Sequence, residues 1–240
     1  MGAKIFDINY IKWKAWGNQV SGDQFGKYSQ YQKDYYHKVL QLSGLSAGAK
    51  ILEIGFGNGS FLSYCRDAGI DISGTEINSE LLLLAQNYGY TVYPSNHLEL
   101  DKSIRYDLIL AFDVIEHIDP TQTLQFLAVC KNSLVDGGQL VLRFPNGDSP
   151  FSLASFNGDV THCNWIGTEK MVYYSMCAEF KELKIIGTPQ VIFTKNLKLA
   201  LYHLTIIPIK KVINLLIGGL FYPGRGLNFV AVDLLAFLKC

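Results

Sequence analysis

The clearest chemical signal in the chain is Glu53-Ile54-Gly55-Phe56-Gly57-Asn58-Gly59, with glycine at every second position. Where a strand turns into a helix, glycines so spaced let the backbone turn tightly and approach a ligand, and the helix start offers free N–H groups. The dinucleotide fingerprint G-x-G-x-x-G would need glycine at position 60, which is Ser60, and no G-K-[ST] follows. Five histidines could move protons near neutral pH: His37, His97, His117, His162 and His203. Two of them keep acidic company. His117 follows Asp113 and Glu116 and precedes Asp119, while His162 lies in GDVTHCNWIG, three residues after Asp159. The first cluster's spacing makes no recognisable ligand set, so no metal site is expected.

These groups need a scaffold, and the apolar pattern supplies one between Lys50 and about Phe144. Short apolar runs alternate there with helical stretches, the mark of an open parallel sheet. The pattern predicts strands at 50–54, 70–76, 91–94, 106–112 and 139–144. It predicts helices at 60–68, 79–87 and 120–134, the second capped by Asn78 or Ser79 and the third started by Asp119-Pro120 and stopped near Gly137-Gly138. Around this core (48–146) lie an aromatic segment at 1–47, with a helix over 28–42, and an acceptor-side region at 147–188. That region reads as a turn-rich loop, a helix at 169–178 and a strand at 183–187. A last strand is expected within 227–240, at 227–237.

Between the last two strands sits an insertion, 189–226. From Leu183 to Val232 there is no acidic residue, but there are Lys184, Lys195, Lys198, Lys210, Lys211 and Arg225. Its apolar runs at 199–209 and 212–223 are each too short to span a bilayer and are parted by Lys210-Lys211, which predicts a helical pair and no transmembrane helix. The run suits peripheral contact with an anionic membrane surface, or a phosphate-bearing lipid carrier, through 195–225. It equally suits packing on the domain or a homodimer contact.

Length and composition agree with one domain over 1–240: 26.9 kDa, 49% hydrophobic residues, and acids balancing bases. A zero net charge gives no argument for a nucleic-acid partner. The five cysteines form no C-x-x-C pair, and MGAKIFDINY has no apolar signal region. Both point to a cytoplasmic protein, with the insertion allowing contact at the inner face of the membrane.

With its E-x-G-x-G-x-G turn, the chain resembles the class I S-adenosylmethionine-dependent methyltransferases. FDVIEHI (112–118) and LVDGGQLVLRFPN (134–146) are similar to that family's later signatures, so the resemblance spans 50–146. It implies a Rossmann-like, doubly wound α/β fold whose mostly parallel seven-stranded sheet has an antiparallel last strand. It implies S-adenosyl-L-methionine as cofactor and S-adenosyl-L-homocysteine as product. Gly55, Gly57 and Gly59 would line the methionine and ribose side, with Glu53 supporting the turn and Phe56, where a smaller residue is commoner, packing beneath the loop. Glu76 would accept two hydrogen bonds from the ribose diol, Ile77 would pack on adenine, Asn96 and His97 would lie at the adenine edge, and Asp113 and Val114 near the methionine moiety.

Methyl transfer is an in-line displacement that depends on alignment, and a hydroxyl acceptor must also lose its proton. The D-x-T-H-x-N run is similar to that of methyltransferases acting on quinone precursors and surface glycans. His162 is the leading base, oriented by Asp159, while His117 serves as a second candidate or shapes the loop with Glu116. The reading is O-methylation of a sugar in a bacterial surface polysaccharide or its lipid-linked precursor. A quinone-precursor or other small-molecule acceptor, or a catalytically silent scaffold subunit, is the alternative. The aromatic residues of 1–47 could form a lid over a sugar, or simply add to the core.

Overall fold

A computed structural model describes residues 13–14, 24–94, 100, 103–189 and 197–240. A helix, α1 (Gln30–Leu42), leads into β1 (Ile51–Ile54), α2 (Ser60–Asp67), β2 (Ile72–Glu76), α3 (Ser79–Asn87), β3 (Val92–Pro94) and β4 (Tyr106–Phe112). Then come α4 (Thr123–Asn132), β5 (Leu134–Pro145), the short α5 (Leu153–Asn157), α6 (Thr168–Cys177), β6 (Glu182–Gly187), α7 (Leu197–Phe221) and β7 (Asp233–Lys239). The sheet order is β3-β2-β1-β4-β5-β7-β6. Pairing is parallel from β3 through β5, while β7 runs antiparallel to both β5 and β6. This is the doubly wound sheet the apolar pattern predicted, with the antiparallel last strand that the family resemblance implied.

Alternation along the central strands divides the core into two layers. Ile51, Leu108, Leu110, Val141, Leu235 and Phe237 face α1 and α2, where Tyr35, Tyr36, Val39, Phe61 and Tyr64 cover them. Leu52, Ile109, Leu142 and Ala236 face the other way, against Phe126 and Leu127 of α4 and Met171 and Tyr174 of α6. Each fully buried Leu or Phe stabilises the fold by about 1.5–3 kcal/mol. Tyr35 and Tyr36 are therefore core rather than part of a lid. The helix they occupy starts at Ser29, whose side chain accepts from the Gln32 backbone while Gln32 reaches back to the Ser29 N–H.

Several boundaries differ from expectation. The helix predicted from Pro120 starts at Thr123, because Asp119 accepts from the Thr121 backbone at 2.8 Å and its hydroxyl at 2.6 Å, closing a separate turn first. Gly137 and Gly138 do not end that helix. They lie inside β5, at a register shift opposite Tyr106–Leu108. The last strand starts at Asp233, and the backbone of 227–231 is instead held by the side chains of Asn146, Ser149 and Asn214. Among its described residues the insertion is not a helical pair. It forms one helix running through Pro208 and Lys210-Lys211, and its stretch Leu204–Phe221 is long and apolar enough to cross a membrane by length and composition.

Candidate active site

The carboxyl ends of β1, β4 and β5 open onto a cavity of about 550 Å³. Its floor is the glycine turn. Gly55 has φ +70° and Gly59 has φ +72°, a region L side chains rarely enter. A Cβ on Gly55 would lie 2.7 Å from the Val114 side chain, and one on Gly59 2.5 Å from the Phe25 ring. Phe56 packs beneath the turn, edge-on to Phe25, and also borders the cavity. Glu53 borders it too. Its Oε2 is buried without a hydrogen-bond partner, and burial, with Glu76 adding to it, pushes its carboxyl well above the usual range.

Glu76 fastens the turn to the next strand. Its Oε2 accepts from the Gly57 N–H at 3.0 Å, and its Oε1 from the N–H groups of Ile77 at 2.9 Å and Asn78 at 3.0 Å. Burial raises its pKa against the pull of those three donors. Ile77 is exposed at the rim. Gly55, Gly57 and Asp113 line the cavity, whereas Gly59, Glu76, Ile77 and Val114 support it from behind or beside. Asn96 and His97 lie outside the described residues.

Opposite the glycine turn, a 3-10 turn at Ile115–His117 meets the loop carrying Asp159 and His162. The two are bolted together through backbone, since the N–H groups of Cys163 and Asn164 both donate to the Glu116 carbonyl, at 2.9 and 3.0 Å. Asn164 Nδ2 adds a buried bond to Thr123 at 2.8 Å. The imidazoles of His117 and His162 are consequently 4.6 Å apart. Glu116, His117 and His162 bring ligand atoms within 4.8 Å of one another, a group of N and O donors able to hold a proton or a metal ion. Sequence spacing does not reveal this convergence, because His162 lies 45 residues from His117 along the chain.

Hydrogen bonds fix the histidine tautomers. His162 Nδ1 sits 2.9 Å from the Phe156 carbonyl, which can only accept. His162 therefore carries its proton on Nδ1 and turns an unprotonated Nε2 toward Glu116 at 4.0 Å and Asp159 at 3.8 Å. Asp159 thus faces the Nε2 edge of His162 rather than Nδ1. It works on the other histidine. The Thr161 hydroxyl donates to Asp159 at 2.6 Å and so accepts from His117 Nδ1 at 2.7 Å.

Charge follows from this packing. Burial, and then the neighbouring His162, lowers the His117 pKa to about 4. Burial also lowers that of His162, against the opposing pull of Asp159. The Glu116 carboxyl is pushed well above its ordinary range by burial and by Asp113, and neither of its oxygens has a hydrogen-bond partner. Burial would push Asp159 the same way, but hydrogen bonds from Lys14 and Thr161 overcome it and keep Asp159 ionised. Lys14 Nζ stands 2.5 Å from its Oδ2.

Sequence reasoning missed Arg143 and Asp233, which also border the cavity. Asp113, held at φ +56°, pairs with Arg143 through Nε at 2.8 Å and through a second guanidinium nitrogen. Burial, and then Asp113, raises Asp233 to about 6. Each was visible as a lone charge in an apolar run, LVLRF and VAVDLLAF.

Known proteins resemble this chain in sequence and in fold. In sequence, the chain is 24% identical over 99 residues to a ubiquinone biosynthesis O-methyltransferase of Bordetella avium, covering 38% of this chain and 41% of that protein. It is 26% identical over 122 residues to one of Xanthomonas oryzae pv. oryzae, covering 47% and 48%. The chain thus spans less than half the length of these two curated relatives. In structure, it is similar to a SAM-dependent methyltransferase from Archaeoglobus fulgidus, with TM-score 0.68, 21% identity, and 98% and 100% of the two chains covered. It is also similar to the plantazolicin methyltransferase BpumL in complex with SAH, with TM-score 0.61, 16% identity, and 99% and 93% covered. Residues 28–172 match the family described as the methyltransferase domain, and the chain belongs to that family.

Proposed function

We propose that this protein is an S-adenosylmethionine-dependent O-methyltransferase, and that its acceptor is a hydroxyl of a sugar in a surface polysaccharide or its lipid-linked precursor. The observation that carries the reading is His162, a neutral imidazole with an unprotonated Nε2 that lines the cavity opposite the glycine turn.

The cavity suits the cofactor. The buried, unpartnered Oε2 of Glu53 borders it and fits an ammonium group, and the glycine turn keeps open a cradle that side chains would fill. Glu53, Gly55, Gly57 and Asp113 would hold the amino-acid end, with Glu76 and Ile77 toward the ribose and adenine. When bound, the cofactor supplies a sulfonium methyl and departs as a neutral thioether. His162 Nε2 takes the acceptor's hydroxyl proton as the new O–C bond forms, and Glu116, itself neutral, adds no charge that would hold the acceptor back. Asp159 and Thr161 keep His117 beside it in one tautomer.

Lys14, Asn58, Ser60, Arg143, Ser155 and Asp233 give the cavity many polar groups, which favours a hydroxyl-rich acceptor. A quinone-precursor phenol is the second reading, favoured by the names of the two curated relatives. Incubation with labelled S-adenosylmethionine decides between them. Label in an isolated glycan fraction supports the first, and label in a polyhydroxylated phenol moves the assignment to the second. No transfer, with no cofactor binding by calorimetry, would leave a silent scaffold.

A further inference from the structure

The helix α7 is apolar on the side that none of the described residues covers. Ile207, Lys210 and Asn214 sit on its domain side, about one helical turn apart, and are partly buried. Leu204, Ile209, Val212, Leu216, Leu220 and Phe221 are 50–75% exposed. A helix apolar all round normally lies within a protein core or a membrane, and this one has its outer face in solvent. No acidic residue occurs between Leu183 and Val232, while six basic ones do. An apolar face in a wholly cationic segment matches a surface that offers acyl chains beneath anionic headgroups.

The chain's path decides between crossing and lying flat. At 1.5 Å per residue α7 is about 37 Å long, enough to span the roughly 30 Å of a bilayer's hydrocarbon. A spanning helix would hold Lys210 and Lys211 near its middle, each costing about 2.5–3.5 kcal/mol there. It would also strand its C-terminal end on the far side. Yet the chain returns directly to β7, whose Leu234 pairs with Gly187 of β6. Asn214, within the helix, is tied to that returning segment. Its Nδ2 donates to the Leu227 carbonyl at 3.2 Å and its Oδ1 accepts from the Phe229 N–H at 2.7 Å. Tyr222 stacks on Phe229 at 5.0 Å, and Leu227 and Phe229 are buried in the domain.

We propose that α7 lies in the surface of an anionic lipid bilayer, its outer face among the acyl chains, and holds the active-site mouth against the membrane. A groove leads from there to the chemistry. Ile207, Lys210, Lys211 and Asn214 line a cavity of about 580 Å³ that shares Tyr31, Thr188 and Asp233 with a neighbouring one of about 340 Å³. The smaller cavity shares Tyr36, Arg143 and Asp233 with the active-site cavity. Resting on the methyltransferase reading above, this route brings the acceptor in from the membrane on a lipid carrier, past the lysines.

The test is co-sedimentation of the full chain with vesicles of phosphatidylcholine alone or with 30% phosphatidylglycerol, beside calorimetry with S-adenosylmethionine. The expected result is binding to the anionic vesicles, at least tenfold weaker without phosphatidylglycerol or at high salt. A variant carrying L204Q, L216Q, L220Q and F221Q should lose it while melting as wild type and binding S-adenosylmethionine unchanged. Absence of vesicle binding by wild type overturns the proposal. So does a concentration-dependent dimer that the same variant abolishes, since a second copy would then cover the face, and so does release by detergent alone and not by alkaline carbonate, which would mean a spanning helix. Cofactor binding is read separately, so failure of the membrane proposal and failure of the methyltransferase reading are distinguishable.

Discussion

His162 Nε2 and Glu116 Oε1 face each other across 4.0 Å, the nitrogen free to accept a proton and the carboxyl already holding its own. The imidazole has its own proton on the far nitrogen, committed to the Phe156 carbonyl, and the carboxyl is buried without a partner. Packing holds both groups neutral. Burial drives the histidine's pKa down and, with Asp113, the glutamate's up.

A base with a lowered pKa stays active into mildly acidic solution. The acid limb of kcat against pH should therefore fall below the ordinary histidine value of about 6.5. His162→Gln should lower kcat by about 10²–10⁴-fold and erase that limb, with cofactor affinity unchanged by calorimetry. Near wild-type turnover in this variant would remove His162 from the base role.

The same donor set could take a divalent cation, which would then occupy the nitrogen that must accept the proton. With the triad acting as a proton site, a chelator should leave turnover unchanged and added Zn²⁺ should inhibit. Activation by Zn²⁺ or Mn²⁺ after chelation would reassign Glu116, His117 and His162 as metal ligands.

Gly59 pairs a positive φ with a close neighbour. Gly59→Ala should cost about 1–2 kcal/mol from the left-handed backbone alone. Displacement of the Phe25 ring should add to this and loosen the turn. Urea unfolding should show a lower midpoint, and cofactor affinity should fall at least tenfold. An Ala variant with wild-type midpoint and affinity would mean the turn yields without consequence.

Asp233 is an acid whose folded pKa, about 6, lies above its unfolded value of about 3.9. Below the unfolded value both states are protonated and burial costs nothing extra. As pH rises through about 6 the folded state must carry a buried charge, so its stability falls. Asp233→Asn should therefore gain on wild type between pH 4 and pH 7.5 in thermal unfolding. An unchanged difference across that range would mean that Asp233 ionises equally easily folded and unfolded.

The legible parts of this protein are those decided by local pattern. The bounds of Tyr106–Phe112 and Ser79–Asn87 follow from an apolar run and an Asn78 cap, and the structure keeps both. The glycine turn was readable because only one residue type tolerates its backbone. Illegible were features set by distant partners. Glu116 and His162 meet through backbone bonds between separate loops, and no spacing rule reports such a bond. Thr161, standing between Asp159 and His117, was hidden for the same reason. The insertion misled in another way. Two lysines look like a break between apolar runs, but lysine is a good helix former and the helix runs on.

The strands flanking α7 are hydrogen-bonded neighbours, with Gly187 opposite Leu234. An excursion that starts and finishes at the same edge of a sheet is topologically a hairpin loop, and hairpin loops can be lengthened or exchanged without shifting register. On the membrane proposal the helix would act as an address label, fitted where the scaffold already closes on itself. A version with a short turn in its place would keep the strand order, the glycine turn and the paired histidines, and would differ in where it meets its substrate rather than in what it does there.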